Sequence, residues 1–230
     1  FYLIALDRQR TADGGTEDGT KKDFQPVFNA ITQATGINFD IKVGQSYSAA
    51  VEAMCSGAAD IAFYGPATYL QAKARGCAEL LALAVRGGSS VYYSGIFARR
   101  DANVNSIADI KGKRIALGDV NSTSSFNVPV AMMMKDGVKP WADASTVNMA
   151  GSHANVLNAL NEGLADVGGA SFDSFEKAVN AKAIDPNKFK VVAKSTPIPY
   201  PPLAIHPKVN TDVKANLREA LDTVHTMPGI

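Results

Sequence analysis

The chain has 230 residues, of which 46% are apolar, 20% charged and 8% aromatic, a composition that excludes a disordered, collagen-like or coiled-coil protein. Lysine and arginine number 23 against 22 acidic residues, so the formal net charge is +1 and no whole-chain field is present to hold a nucleic-acid backbone or an anionic membrane. Any anionic partner must therefore be bound by local groups.

Strand-like and helical segments alternate along the chain. Apolar runs predict strands near Phe1–Leu6, Phe39–Val43, Asp60–Tyr64, Leu80–Val85, Arg114–Leu117 and Asp166–Ala170. Amphipathic stretches predict helices at Phe24–Ala34, Tyr47–Met54, Ala67–Ala74 and Val128–Met134, and a last one over about Thr211–Thr226. This alternation predicts an α/β fold with mostly parallel sheets.

The chain contains no apolar run near the roughly 20 residues that a bilayer span needs. Its abrupt apolar start is typical of a buried strand rather than a signal peptide, so we expect a processed or trimmed soluble chain. The equally abrupt end after the last predicted helix leads us to expect a C-terminal extension.

An internal repeat determines the predicted architecture. Residues Ser46–Ile61 align with Ser152–Val167, and both contain the pattern Ala-[Met/Leu]-x-x-Gly-x-Ala-Asp-[Ile/Val]. The strands Ile4–Leu6 and Ile115–Leu117 match as well. In each copy a helix closed by glycine precedes a strand. The sequence therefore predicts two similar α/β lobes.

The predicted boundaries give one lobe over residues 1–98, with a return segment near 200–230, and a second over 99–199. Polar residues 99–103 are the expected first crossing, and the proline-rich stretch that ends at Leu203 is the expected second. Two lobes joined in this way are expected to enclose a ligand cleft, because ligands of open α/β sheets bind beyond the carboxyl ends of the strands.

A run of hydroxyl side chains follows the strand Arg114–Leu117. Ser122, Thr123, Ser124 and Ser125 precede an apolar helix, where hydroxyl and backbone N–H donors can converge on a small oxyanion. The alternative is a helix N-cap in a polar loop. Four consecutive hydroxyls favour anion binding.

His153 occupies the position of Tyr47 in the repeat, and each follows a serine at a helix start. A single histidine is more often structural than functional. The equivalence favours a site in which imidazole and phenol donate to one ligand from the two lobes.

Two further aromatic positions are expected at the cleft wall. Tyr64 ends a strand before Gly65 and Pro66, and either Tyr92 or Tyr93 follows a glycine-rich turn. We favour Tyr93, without separating it firmly from its neighbour, and the alternative for any tyrosine is core packing with a satisfied hydroxyl.

Asp173 follows the second-lobe strand, where a carboxylate can accept the proton of a monoprotonated oxyanion or align His153. Its alternative is the N-cap of the helix from Ser174 onward. The two interpretations are compatible.

Cys55 and Cys77 are the two cysteines of the chain. They cannot make a zinc site alone, and their predicted positions lie at the end of the sheet away from the strand carboxyl ends. A disulfide between them and a pair of inert buried thiols are both open. We expect no metal and no cofactor.

These features together resemble the periplasmic phosphonate- and phosphite-binding proteins of ABC transporters. The segments that carry the resemblance span nearly the whole chain in order and are Ser46–Val51, Asp60–Ala67, Tyr92–Ser94, Asn121–Phe126 with Pro129, and Gly151–His153. The resemblance implies a type II periplasmic-binding-protein fold that closes on its ligand. By position it implies that the oxyanion is held by Ser122, Thr123 and Ser124, surrounded by Tyr47, Tyr64, Tyr93 and His153, with Asp173 as the acid.

The chain departs from that family's pattern at two places. The hydroxyl loop commonly ends in glycine, where this chain has Ser125. Family members that bind aminoalkylphosphonates carry an acid for the ammonium after the Pro-Ile-Pro segment, where this chain has Tyr200–Pro202. A buried ammonium without a carboxylate is costly, so phosphite, methylphosphonate or a similar small oxyanion is the expected ligand.

The leading hypothesis is a non-catalytic, monomeric capture protein of an ABC importer. It would be periplasmic or lipid-anchored on the extracytoplasmic side, and would present its ligand to a membrane permease. The alternative is an oxyanion sensor, for example for arsenite through a thiol, that engages a histidine-kinase ectodomain. A Ser-His hydrolase ranks third, because the chain has no Gly-x-Ser-x-Gly segment.

Overall fold

The computed structural model describes residues 2–5 and 17–230, with side chains from residue 21 onward. These residues form two compact units, one of Tyr2–Ala5, 17–90 and Pro199–Ile230 and one of Val91–Ile198. The predicted first boundary near Ala98 differs from the one in the structure, which lies between Ser90 and Val91, because the strand that ends at Arg99 pairs within the second unit's sheet.

Strands and helices alternate as the sequence predicts. The strands are β1 (Tyr2–Ala5), β2 (Asp40–Lys42), β3 (Ile61–Phe63), β4 (Glu79–Leu83), β5 (Val91–Tyr92), β6 (Ser94–Arg99), β7 (Arg114–Gly118), β8 (Thr146–Gly151), β9 (Val167–Ser171), β10 (Phe189–Lys194), β11 (Ile198–Pro199) and β12 (Pro202–Ile205). The α-helices are α1 (Glu17–Thr35), α2 (Tyr47–Cys55), α3 (Pro66–Ala74), α4 (Val128–Lys135), α5 (Pro140–Asp143), α6 (His153–Asn161), α7 (Phe172–Asn180) and α8 (Thr211–Thr223). Phe1 and Leu6 of the predicted first strand lie outside the described residues.

The two five-stranded sheets have the same topology. Their orders are β2-β1-β3-β12-β4 in the first unit and β8-β7-β9-β6-β10 in the second. The first three strands of each order run parallel. The fourth, β12 or β6, is antiparallel to both of its neighbours. The prediction of two similar, mostly parallel α/β units is confirmed.

The sequence repeat corresponds to one local structure that occurs twice. Helices α2 and α6 are N-capped by Ser46 and Ser152, whose hydroxyls accept the backbone N–H three residues ahead at 3.0 and 3.1 Å. After each helix the chain turns at a glycine with positive φ, +78° at Gly57 and +74° at Gly163. The same start and stop signals therefore give the same helix in both units.

Each sheet is covered by apolar side chains on both faces. In the first unit Met54 of α2 packs on one face, and Phe28 of α1 and Leu217 of α8 pack on the other. In the second unit Met133 of α4 and Leu160 of α6 lie in the two corresponding clusters. Burial on both faces explains why the strands are short apolar runs.

Two segments differ from their predicted form. The proline-rich segment was expected to be an extended crossing, but it contains the sheet strand β12, which begins at Pro202. Proline is tolerated at the first residue of a strand. The last helix ends at Thr223, earlier than predicted, and continues as a short 3₁₀ turn to Thr226.

A disulfide joins Cys55, at the end of α2, to Cys77, just before β4. The two cysteines are 22 residues apart, so a chain-entropy estimate of the stabilisation is about 3 kcal/mol. We expect the Cys55→Ser/Cys77→Ser variant to lose roughly that free energy of unfolding, as measured by urea denaturation. The wild type in reductant is the matched control. Equal midpoints in all three samples would show that the bond contributes nothing.

Candidate functional site

Three loops meet at one edge of the second unit's sheet. Strands β8, β7 and β9 are parallel neighbours, so their carboxyl ends lie together. The hydroxyl segment 122–125 follows β7, His153 follows β8, and Asp173 follows β9. The structure therefore brings these predicted site residues to a common edge, where open α/β sheets bind ligands.

The hydroxyl segment is a buried turn of unusual helical form. Ser122 is the N-cap, and its Oγ accepts from the Ser125 backbone N–H at 3.2 Å and from the Ser125 hydroxyl at 2.6 Å. Thr123–Asn127 then form one π-helical turn before α4, a feature that occurs frequently at functional sites. The alternative predicted for this run, a helix N-cap, is thus correct for Ser122 but does not describe Ser124.

Two glycines allow this segment to lie directly on the sheet. A Cβ atom on Gly118 would lie 1.9 Å from Ser125 Oγ, and one on Gly169 would lie 2.5 Å from Pro129 Cγ. The Ser94 hydroxyl fixes the segment from the other side by donating to the Ser124 carbonyl at 2.7 Å. The backbone of the hydroxyl segment is therefore held in place independently of the Ser124 side chain.

The close approach of Ser125 to Gly118 gives a stability prediction. Gly118→Ala places its methyl group against Ser125, and overpacking of this kind costs about 1 to 3 kcal/mol. We expect a lower unfolding midpoint for Gly118→Ala, and partial recovery in Gly118→Ala/Ser125→Gly, which removes the opposing side chain. Thermal unfolding measures both. A Gly118→Ala protein as stable as the wild type would contradict the packing described.

Two buried side-chain atoms have no hydrogen-bond partner in the part of the chain that the structure describes. They are Ser124 Oγ and His153 Nε2, and both residues are at most 1% exposed. An unsatisfied buried polar group costs about 1 to 3 kcal/mol, so native proteins rarely contain one without a reason. Both atoms belong to the loops that meet at this sheet edge, which makes them the strongest indication of a ligand.

The protonation state of His153 follows from its one hydrogen bond. Its Nδ1 accepts the backbone N–H of Ser171 at 3.1 Å, so Nδ1 carries no proton. Burial lowers the pKa of His153 to about 4, and the ring is neutral at pH 7. Nε2 therefore carries the proton and is a donor. Within residues 21–230, Nε2 bonds to no serine, so His153 forms no Ser-His hydrogen bond there.

Asp173 is not the N-cap of its helix, which was one of the two roles predicted for it. The N-cap of α7 is Ser171, whose hydroxyl accepts from the Ser174 backbone N–H at 3.1 Å. The N-cap interpretation of Asp173 is therefore wrong, since the helix begins two residues earlier than that interpretation required. Asp173 lies exposed in the first turn of α7, where a carboxylate interacts favourably with the helix dipole.

Tyr93 lies at the same sheet edge, beside a cation that the sequence analysis missed. Its backbone carbonyl accepts from the Phe172 N–H at 3.0 Å. The Lys194 ammonium lies 3.9 Å from the centroid of the Tyr93 ring. Lys194 is the last residue of β10, and its place at this edge follows from the pairing of β10 with β6. That pairing cannot be read from the sequence. Tyr92 is 4% exposed, whereas Tyr93 is only partly buried.

Tyr47 and Tyr64 belong to the first unit. Tyr47 is the buried first residue of α2, in the place that His153 has in α6. Tyr64 is fully buried, and its hydroxyl donates to the Ala50 carbonyl at 3.1 Å. Burial also raises the pKa of the Tyr64 phenol. In this structure the Tyr64 hydroxyl is thus engaged inside its own unit, and the ligand roles of both tyrosines stay predictions.

Other chemistries find no support among the residues that the structure describes. No cluster of three or more His, Cys, Asp or Glu side chains is arranged there to hold a metal ion. Nor does that part of the chain contain a helix with the length and apolar character needed to cross a bilayer. The disulfide leaves neither Cys55 nor Cys77 as a free thiol for arsenite.

Comparison with known proteins gives consistent matches. Residues 15–229 match the family described as "ABC transporter, phosphonate, periplasmic substrate-binding protein". A curated relative, "Phosphate-import protein PhnD" of Mycolicibacterium smegmatis, is 28% identical over 204 residues, which cover 84% of this chain and 62% of that protein. The chain thus spans less than two thirds of that relative's length.

Two solved structures share the fold. The binding protein component of an ABC phosphonate transporter from Pseudomonas aeruginosa has a TM-score of 0.80 and 24% identity, covering 95% of this chain and 72% of that one. PhnD1 from Prochlorococcus marinus in complex with methylphosphonate has a TM-score of 0.79 and 16% identity, covering 97% and 82%. These likenesses confirm the predicted periplasmic-binding-protein fold.

Proposed function

We propose, from the premise that this chain belongs to the periplasmic substrate-binding proteins of phosphonate ABC transporters, that it captures a small phosphorus oxyanion and delivers it to a membrane permease. Proteins of this family bind their substrates without transforming them. Beyond family membership, this names a ligand class (small phosphorus oxyanions), two donors (Ser124 and His153) and a membrane partner (the permease). It does not depend on Tyr47 or Tyr64.

The Ser124 hydroxyl and the His153 Nε2–H carry the proposal, because neither bonds to a residue within the described part of the chain. Both are neutral donors, and hydrogen bonds from such donors to an ionised oxygen are stronger and shorter than bonds between neutral groups. An oxyanion that accepts from both would satisfy two buried polar atoms at once. The backbone that carries Ser124 is held by Ser94 and by the Ser122–Ser125 bond, and the His153 ring is held by the Ser171 N–H. Donors on segments fixed in this way lose little freedom when a ligand binds.

Three ligands fit this donor set, namely phosphite, methylphosphonate and inorganic phosphate. All are tetrahedral and small. The relative from Mycolicibacterium smegmatis is named for phosphate import, and the Prochlorococcus marinus protein was solved with methylphosphonate. We place phosphite and methylphosphonate first, because the fourth substituent of each is apolar and needs no further hydrogen-bond donor.

Isothermal titration of the wild type with the three anions tests this function, with sulfate as a tetrahedral control that lacks phosphorus. We expect micromolar or tighter binding of at least one phosphorus anion and weaker binding of sulfate. Failure of all three to bind at micromolar concentrations would refute the proposal. A permease and an ATPase encoded next to this chain would support uptake, whereas a histidine kinase and a response regulator would support the sensor alternative.

A further inference from the structure

Lys194 is fixed at the edge of the sheet that carries the candidate site. It is the last residue of β10 and pairs with Gly95 of β6. The next residue, Ser195, exchanges two hydrogen bonds with Ser94, from Ser195 N–H to the Ser94 carbonyl at 2.9 Å and from Ser94 N–H to Ser195 Oγ at 3.0 Å. Ser94 is also the residue whose hydroxyl holds the Ser124 carbonyl. The backbone of Lys194 is thus anchored to the strand that supports the hydroxyl segment.

The ammonium of Lys194 lies over two aromatic rings. Its Nζ is 3.9 Å from the Tyr93 ring centroid and 5.4 Å from that of Phe172. Phe172 directly follows Ser171, whose N–H sets the tautomer of His153. The ammonium therefore contacts the faces of two rings that are next in sequence to Ser94 and Ser171. These are the residues that hold the Ser124 carbonyl and the His153 ring.

The positive charge of Lys194 has no carboxylate partner among residues 21–230. Within the described ranges no salt bridge involves Lys194, and its side chain is exposed. The oxyanion itself is expected to bind to neutral, buried donors. Lys194 ends its strand at the same sheet edge but is exposed, so it differs from those donors in both charge and burial.

We propose that Lys194 selects the substituent of the bound phosphonate, favouring one that carries a second negative charge and disfavouring one that carries an ammonium. The inference rests on the proposed function and deepens it. Among phosphonates with a substituent larger than methyl, the class favoured is the phosphonocarboxylates, whose carboxylate adds a negative charge to that of the phosphonate group. Asp173, exposed on the first turn of α7, carries the opposite charge near the same edge, so its removal acts in the opposite direction.

Titration with four ligands tests the selection, namely methylphosphonate, phosphonoacetate, 3-phosphonopropionate and 2-aminoethylphosphonate. For Lys194→Gln we expect an affinity loss of about tenfold for at least one phosphonocarboxylate, and a change of less than about threefold for methylphosphonate. Asp173→Asn should raise the ratio of phosphonocarboxylate to 2-aminoethylphosphonate affinity. The effect of Lys194→Gln should shrink at high salt, because the charge is exposed.

Lys190→Gln is the matched control. Lys190 lies on the same strand and its removal makes the same charge change, but its ammonium bonds to Asn105 Oδ1 at 2.7 Å. We expect it to leave all four affinities unchanged within about twofold. Equal changes for methylphosphonate and the phosphonocarboxylates in Lys194→Gln would overturn the selection while leaving the proposed function intact. A wild type that binds none of the four would overturn the selection, whereas the proposed function falls only if phosphite and inorganic phosphate fail to bind as well.

Discussion

Replacing Ser124 with alanine is expected to weaken binding of phosphite or methylphosphonate by roughly 10- to 150-fold, because a hydrogen bond to a charged group contributes about 1.5 to 3 kcal/mol. The same substitution should leave the free energy of unfolding unchanged or raise it slightly. The reason is that the Ser124 hydroxyl is fully buried and bonds to none of the residues that the structure describes. Loss of affinity without loss of stability is what distinguishes a ligand donor from a structural hydroxyl.

Ser174→Ala is the matched control for Ser124→Ala. Ser174 is another buried serine of the same unit, but its hydroxyl accepts from the Ser171 hydroxyl at 2.8 Å. Its removal should lower the free energy of unfolding by about 1 kcal/mol and change affinity much less. Adding His153→Ala to Ser124→Ala should abolish binding. A Ser124→Ala protein that keeps wild-type affinity would show that the Ser124 hydroxyl does not bind the ligand.

The second large effect concerns the dependence of stability on pH. Burial lowers the pKa of His153 to about 4, against about 6.5 in an unfolded chain. Between these two values the unfolded chain binds the proton more readily, so folding stability falls as the pH falls. His153 alone should therefore remove about 3 kcal/mol of stability between pH 6.5 and pH 4, an effect that is absent above pH 6.5.

His153→Gln isolates this contribution, because glutamine does not titrate and retains a side-chain donor. Carboxylates with lowered pKa values, such as Asp166 beside Arg114, also destabilise the fold in acid. The difference between wild type and variant removes their contribution. Urea denaturation at pH 7, 5.5 and 4 should show a shallower loss of stability for His153→Gln. Parallel curves for the two proteins would mean that His153 is not buried in its neutral form.

Local patterns predicted the architecture. The sequence repeat predicted two similar units, because each copy has a serine before a helix and a glycine, Gly57 or Gly163, after it. The structure confirms this with two sheets of matching strand order. The antiparallel strand β12 was not predicted, because the prolines around Pro202 indicated an extended crossing rather than a sheet strand. Its pairing with β4 is visible only in the structure. Short-range signals determine helices, while strand neighbours depend on contacts far apart in sequence.

The candidate site was predicted only at the level of its loops. Hydroxyls after β7 and a histidine after β8 are visible in the sequence, and the structure places both at one sheet edge. The sequence could not show that the Ser125 hydroxyl bonds to Ser122 while the Ser124 hydroxyl bonds to no described residue, since this depends on the fit of the segment against Gly118. Nor could it show the place of Lys194, which depends on strand register.

A crystal structure of the wild-type chain soaked with methylphosphonate would test the account most directly. We expect tetrahedral density whose oxygens lie about 2.7 to 3.2 Å from both Ser124 Oγ and His153 Nε2, with the methyl group away from these donors. Ligand density that touches neither atom, or only one of them, would contradict the claim that these two buried donors bind the same phosphorus oxyanion.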